Sequence, residues 1–124
     1  MFAFLPKYEN LSEALMDQKL ASIGDAYVNF LYSLALSKKH GEPVGTKVKG
    51  RLLADAFKKA GLRKLLPSRI NRHKQADAAE ALIVYAWMRG LVTMEEGLQI
   101  LEENEDEIEA FSFLLITAKR RVSI

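Results

Sequence analysis

An all-α single domain is what this chain predicts, on three observations. Apolar residues recur at three- and four-residue spacing through most of its length, glycines and prolines punctuate it at helix-length intervals, and no stretch alternates with period two. There are no internal repeats or low-complexity segments. The 124 residues suffice for one hydrophobic core but are too few for a catalytic domain plus an appended binding module, so one domain over 1–124 is expected.

The elements follow in order. Leu11, Ala14 and Leu15 mark a short first helix, with Asn10 or Ser12 as its cap. From Leu20, the series Leu20, Ile23, Tyr27, Phe30 or Leu31, and Leu34 predicts a helix with one buried face, ended by Gly41. Two glycines and a proline within residues 41–45 predict a loop. A third helix is expected over Lys47 to Ala60, with Leu52, Leu53, Ala56 and Phe57 inward and Gly61 as a left-handed terminator. Pro67 breaks the chain. From about Ser68 a fourth helix is expected through Ile70, Ala76, Ala79, Ala81, Leu82, Ile83, Tyr85, Ala86 and Trp87 to Gly90. It is apolar almost all round after residue 75, so it should run through the core. Thr93 and Glu96 form a capping-box pattern that opens the next helix. Ile108, Phe111, Leu114, Leu115 and Ala118 mark the last.

Composition narrows the function classes. With no cysteine, disulfides and thiolate metal sites are excluded, and the absence fits an intracellular protein. The opening Met1-Phe-Ala-Phe-Leu-Pro6 is too short for a signal-peptide core, and no apolar run reaches the length of a membrane span. A soluble, cytoplasmic protein without a membrane partner is expected. The net charge of +2 hides a segregation of charge. Between Lys47 and Lys74 lie Lys47, Lys49, Arg51, Lys58, Lys59, Arg63, Lys64, Arg69, Arg72 and Lys74, opposed only by Asp55; between Glu95 and Glu109 every charged residue is acidic. Such runs are either solvated helix faces or, for the basic one, a surface that attracts polyanions, nucleic acid foremost.

Three acids stand among small and apolar residues on the predicted helices: Asp25, Asp77 and Glu80. Desolvating a carboxylate is costly unless it is paired, protonated or bound to a cation. Asp77 and Glu80, three residues apart on one face with Cβ atoms roughly 5–6 Å apart, can reach one ion. A hard cation such as Mg2+ would relieve their repulsion. Asp25 follows Gly24, and a glycine inside a helix, costing about 1 kcal/mol relative to alanine, points to close approach of another backbone or a ligand. If the two helices cross there, the three carboxylates converge; otherwise Asp25 is a helix acid paired with a nearby Lys or Arg. Asn29, one turn beyond, would supply a neutral oxygen or orient Asp25.

The strings Leu20-Ala-Ser-Ile-Gly-Asp-Ala-Tyr-Val-Asn-Phe30 and Ala76-Asp-Ala-Ala-Glu-Ala-Leu-Ile83 resemble the two metal-binding motifs of the ribonuclease III endonuclease domain. They stand in the family's order, about fifty residues apart, on a helical domain of about the right length. The resemblance implies that Asp25, Asp77 and Glu80 are Mg2+ ligands (Mn2+ being the substitute) at the scissile phosphate, supported by Gly24 and Asn29. It also implies hydrolysis of double-stranded or structured RNA to 5'-phosphate and 3'-hydroxyl ends by a homodimer. The pattern departs at two positions: Ala21 stands where the family has a glutamate, and Gln18 replaces a further acid. The compact mini-ribonuclease III branch, which has no double-stranded-RNA-binding domain, is similar at the first motif. These departures keep a second expectation open, a catalytically silent module that binds structured RNA or ribosomal particles. A duplex groove reads phosphates and 2'-hydroxyls, for which basic residues suffice. Arg69, Arg72, His73 and Lys74, one to two turns before Asp77, are the candidate RNA contacts; His73 is either a general acid or part of the rim. The aromatic residues Tyr27, Phe30, Tyr32, Tyr85 and Trp87 fit either a dimer surface or ordinary core packing.

Overall fold

The computed structural model describes residues 2–124, and those residues form six α-helices, one short 3-10 turn and no strand. The helices are α1 (Leu11–Leu15), α2 (Gln18–His40), α3 (Gly50–Lys59), α4 (Arg72–Met88), α5 (Met94–Glu103) and α6 (Glu107–Arg121). The all-helical expectation holds. No helix among the described residues is long and apolar enough to cross a membrane.

Helix α4 is the axis of the fold. Its run of Ala78 to Ala86 is buried throughout, and it packs against α1, α2, α3 and α6. A helix with no polar stripe has nowhere else to go, and small residues on most of its turns let four neighbours approach at once. The core around it is built from Leu15, Val28, Leu31, Leu53, Phe57, Leu82, Phe111 and Leu115.

Local chemistry sets the helix ends. Asn10 Oδ1 accepts from Glu13 N (2.9 Å) at the start of α1, and Asp17 Oδ1 accepts from Lys19 N (2.9 Å) at the start of α2. Thr93 and Glu96 close the expected capping box at α5 (3.1 Å each way). Gly41, Gly61 and Gly90 adopt positive φ (75°, 77° and 72°), so the chain leaves α2, α3 and α4 through conformations that disfavour a side chain.

Some boundaries and faces differ from the sequence expectation. Helix α3 begins at Gly50, not Lys47, because the preceding residues are held extended against α2. Val44 N donates to Ser37 Oγ (2.8 Å), Thr46 N to Ser33 Oγ (3.0 Å) and Val48 N to Asn29 Oδ1 (2.8 Å). Helix α4 begins at Arg72, not Ser68, since Asn71 caps it by accepting from Lys74 N (2.8 Å); Ile70 packs on the core from outside the helix. On α2, Leu31 is buried, whereas Ile23 and Phe30 are 39% and 54% exposed. A three-four spacing fits a face, and these two residues sit on its margin.

The acidic run is partly engaged by cations from other helices. Glu102 pairs with Lys38 of α2 (2.8 Å), Glu96 with Arg121 of α6 (2.8 Å) and Glu109 of α6 with Lys59 of α3, while Tyr32 of α2 donates to Glu107. These pairs are solvated and individually weak.

A candidate metal centre where α2 crosses α4

Gly24 and Glu80 meet at the closest point of the two motif-bearing helices. A Cβ on Gly24 would lie 2.6 Å from the Glu80 carbonyl carbon, a distance that real Cβ atoms do not tolerate, and 3.0 Å from the Glu80 Cβ. The glycine therefore answers to an approaching backbone, one of the two alternatives its sequence position left open. The consequence is local: Asp25, next to Gly24, is brought beside Glu80.

The three acids line one cavity of about 360 Å³, together with Gln18, Ala21, Ser22, Val48, Gly50, Leu53, His73 and Ala76. Glu80 lies at its base, 7% exposed. Burial, then the contact with Asp25 and the charges of Asp25 and Asp77, push its carboxyl up to about 8. No Lys or Arg among the described residues pairs with Asp25 or Glu80, so a proton on Glu80 is what reconciles these acids. A hard divalent cation, which prefers oxygen donors, could take the place of that proton. Among the described residues, however, no three carboxylate or imidazole groups are already gathered around a common ion position. Asp77 Oδ2 faces the imidazole of His73 at 3.7 Å.

Neighbouring amides hold the acids. Asn29 Nδ2 donates to Asp25 Oδ1 (3.1 Å) while its own Oδ1 accepts from Val48 N, so Asn29 orients Asp25, its oxygen being committed elsewhere. With its amide turned to suit both neighbours, Gln18 donates to Asp77 Oδ2 and accepts from Lys74 Nζ (3.2 Å each). A carboxylate at position 18 would repel Asp77; the amide instead bridges it to a cation. Ala21, buried at 4% exposure, forms plain cavity wall.

The four basic candidates fare differently. Lys74 reaches Gln18 at the cavity rim, and His73 lines the cavity with its ring 83% exposed. Arg72 is ion-paired with Asp55 and donates to the Arg51 carbonyl (3.4 Å). Arg69 is exposed and does not line the cavity. Sequence reasoning missed the contribution of the extended segment, whose Val48 forms part of the cavity wall. Its signal was present: Asn29, Ser33 and Ser37 recur every four residues, a polar stripe on an otherwise apolar helix.

A second cavity of similar size lies at the other end of α2, lined by Tyr32, Leu36, Lys38, Glu102 and Glu107 among others. There Lys38 pairs with Glu102 and Tyr32 bonds to Glu107.

A protein-family model described as Ribonuclease III matches residues 18–119 of the 124. No curated protein matches the chain.

Proposed function

The chain belongs to the ribonuclease III family, and from that premise we propose that it is a divalent-metal-dependent endoribonuclease acting on double-stranded or structured RNA as a homodimer. The observation that carries this reading is the cavity that Asp25, Asp77 and Glu80 share without a neutralising Lys or Arg on Asp25 or Glu80. A binding module with no catalytic task gains nothing from burying Glu80 beside Asp25, where it must stay protonated.

Mg2+, or Mn2+ in its place, would be held by oxygens of Asp25, Asp77 and Glu80, with the Glu80 proton released on loading. Bound there, the ion supplies Lewis-acid stabilisation of charge on the phosphoryl group. Asn29 keeps Asp25 aimed at the cavity, and Gln18 fixes one oxygen of Asp77. Lys74 and His73, at the rim, and Arg69 and Arg72, further out, are assigned to the RNA backbone. The homodimer is supported by apolar surface on α2: Ile23 and Phe30, two turns apart, are exposed, and a chain of rings runs from Tyr27 through Trp87 (4.8 Å) and Phe2 (5.4 Å) to Phe4, which is 66% exposed. A cytoplasmic location belongs to the same proposal.

Ala21 favours a second reading, a catalytically silent family member that binds structured RNA or ribosomal particles, because it places no oxygen at a position where the family motif has an acid. Incubation with long double-stranded RNA and Mg2+, comparing wild type with Glu80→Gln, separates the two. Metal-dependent cleavage by wild type, lost in the variant, is the expected result. Retained RNA binding with no cleavage by either protein would select the silent module.

A further inference from the structure

We infer that the extended segment 44–49 is a rail, clipped to α2, that holds Lys47 and Lys49 against RNA phosphates at the mouth of the acid cavity. The inference rests on the reading that the protein engages RNA, and it adds residues and a device that this reading did not contain.

The clip is regular. Asn29, Ser33 and Ser37, one turn apart on α2, take the backbone N–H groups of Val48, Thr46 and Val44 in that order, so the segment runs antiparallel to the helix. Ser33 also returns its hydroxyl to the Thr46 carbonyl (2.8 Å), while the Ser37 hydroxyl is shared between the Ser33 carbonyl of its own helix (2.8 Å) and the Val44 carbonyl (3.2 Å). Fastening alternate residues gives the segment a two-residue period, which leaves Lys47 and Lys49 as the members between and beyond the fastened ones. Both lysines are exposed, whereas Val48 between them is buried and lines the cavity with Gly50.

Charge and position together point to the same pair. Arg72, Lys59, Lys38 and Arg121 each have a carboxylate partner, and Arg63 is spent on the carbonyls of Pro67 and Ser68. Lys47 and Lys49, like Arg51, Lys58, Lys64 and Arg69 of the same basic run, have no carboxylate within 4.0 Å among the described residues, and these two stand on either side of Val48, which lines the acid cavity. A polyanion approaching that cavity meets repulsion from Asp25 and Asp77, and two free ammonium groups at its edge offset it. Compact, strongly hydrated ammonium groups suit backbone contact that is independent of sequence. Asn29 ties the two functions together, since the same side chain fastens Val48 and orients Asp25. The spacing between a phosphate on the rail and the acids is thereby set by the protein.

The test measures binding of a double-stranded RNA with divalent metal chelated, as a function of salt, for wild type, Lys47→Gln/Lys49→Gln and the charge-matched control Lys38→Gln/Lys39→Gln. The rail variant should bind more weakly, with a salt slope shallower by about 1 to 2, while the control stays near wild type. An unchanged slope, an equal change in the control, or no RNA binding by wild type overturns the inference. Because cleavage is not read, a protein that binds through the rail yet never cuts leaves the inference standing and removes the catalytic reading alone. Cleavage in the separate Glu80→Gln assay together with an unchanged slope here would overturn the inference and leave the catalytic reading standing. The clip itself is read by trypsin, which cuts after lysine: native Ser33→Ala/Ser37→Ala protein should be nicked after Lys47 or Lys49 faster than wild type. Equal nicking rates would show that the serines do not fasten the segment.

Discussion

The backbone of Glu80 occupies the space that a side chain on Gly24 would need, and this contact brings Asp25 beside the Glu80 carboxyl. Gly24→Ala must push α2 and α4 apart. Overpacking of this kind costs about 1–3 kcal/mol, against which the better helix propensity of alanine returns up to about 1 kcal/mol. Thermal melts should show net destabilisation, and cleavage at a temperature where the variant stays folded should fall by a larger factor than the melt explains. Wild-type stability would contradict the closeness of the crossing.

Glu80 makes metal-free stability depend on pH with a definite sign. Its carboxyl is raised from an ordinary 4.5 to about 8 by burial and by Asp25 and Asp77, so between those values the folded state holds a proton that the unfolded state has lost. The stabilisation is fully present below about 4.5 and is lost as pH rises through about 8. Each tenfold gain in proton affinity corresponds to about 1.4 kcal/mol, so a decline on the order of 5 kcal/mol across that interval is expected. Glu80→Gln should flatten the decline in a chelator-containing melt series; an identical decline in the variant would locate the linkage elsewhere.

Divalent metal should reverse that trend. Mg2+ or Mn2+ at about pH 8 is expected to raise the melting temperature of wild type, with the proton release that loading of Glu80 demands, and to do neither for Asp25→Asn or Asp77→Asn. The same variants should lose metal-dependent cleavage by roughly 100-fold or more, the scale on which removing a single electrostatic contact to a transition state acts. A metal-induced shift that survives both substitutions would place the ion away from these acids.

Phe30, exposed at 54% on the outer face of α2, is the residue whose replacement should separate subunits without touching the acids. Phe30→Asp is expected to halve the sedimenting mass of a dimeric wild type. A wild type that is already monomeric at high concentration would remove the dimer from the proposal.

Thr93→Ala tests that effects at the site are not effects of stability in general. The capping box it breaks lies at the start of α5, and losing such a cap costs about 1 kcal/mol. Cleavage measured well below the melting temperature should be unchanged.

Much of the architecture was legible in the chain because it depends on local rules. The caps at Asn10 and Thr93 and the terminators Gly41, Gly61 and Gly90 act within a turn or two of themselves and appear where those rules put them, and the three- and four-residue spacing finds the helices while misplacing Ile23 and Phe30 at the margin of α2. The burial of α4 followed from its lack of a polar stripe. The motif residues Asp25, Asp77 and Glu80 were equally readable as acids with no local reason to sit among alanines and leucines.

Contacts between distant parts of the chain were decided by tertiary structure. Periodicity placed Lys47 to Lys49 in a helix, and the hydrogen-bonding side chains of α2 won the backbone of that segment instead, because they satisfy its N–H groups without a helical turn. Gln18 appeared as a lost acid and became, once α2 lay across α4, a bridge between Asp77 and Lys74. Arg72 appeared as a free cation until α3 brought Asp55 to it. The sequence by itself determined which residues were capable of chemistry and which helices carried them; only the crossing of α2 and α4 determined their environment, since desolvation and charge proximity are properties of the packed interface and of no single helix.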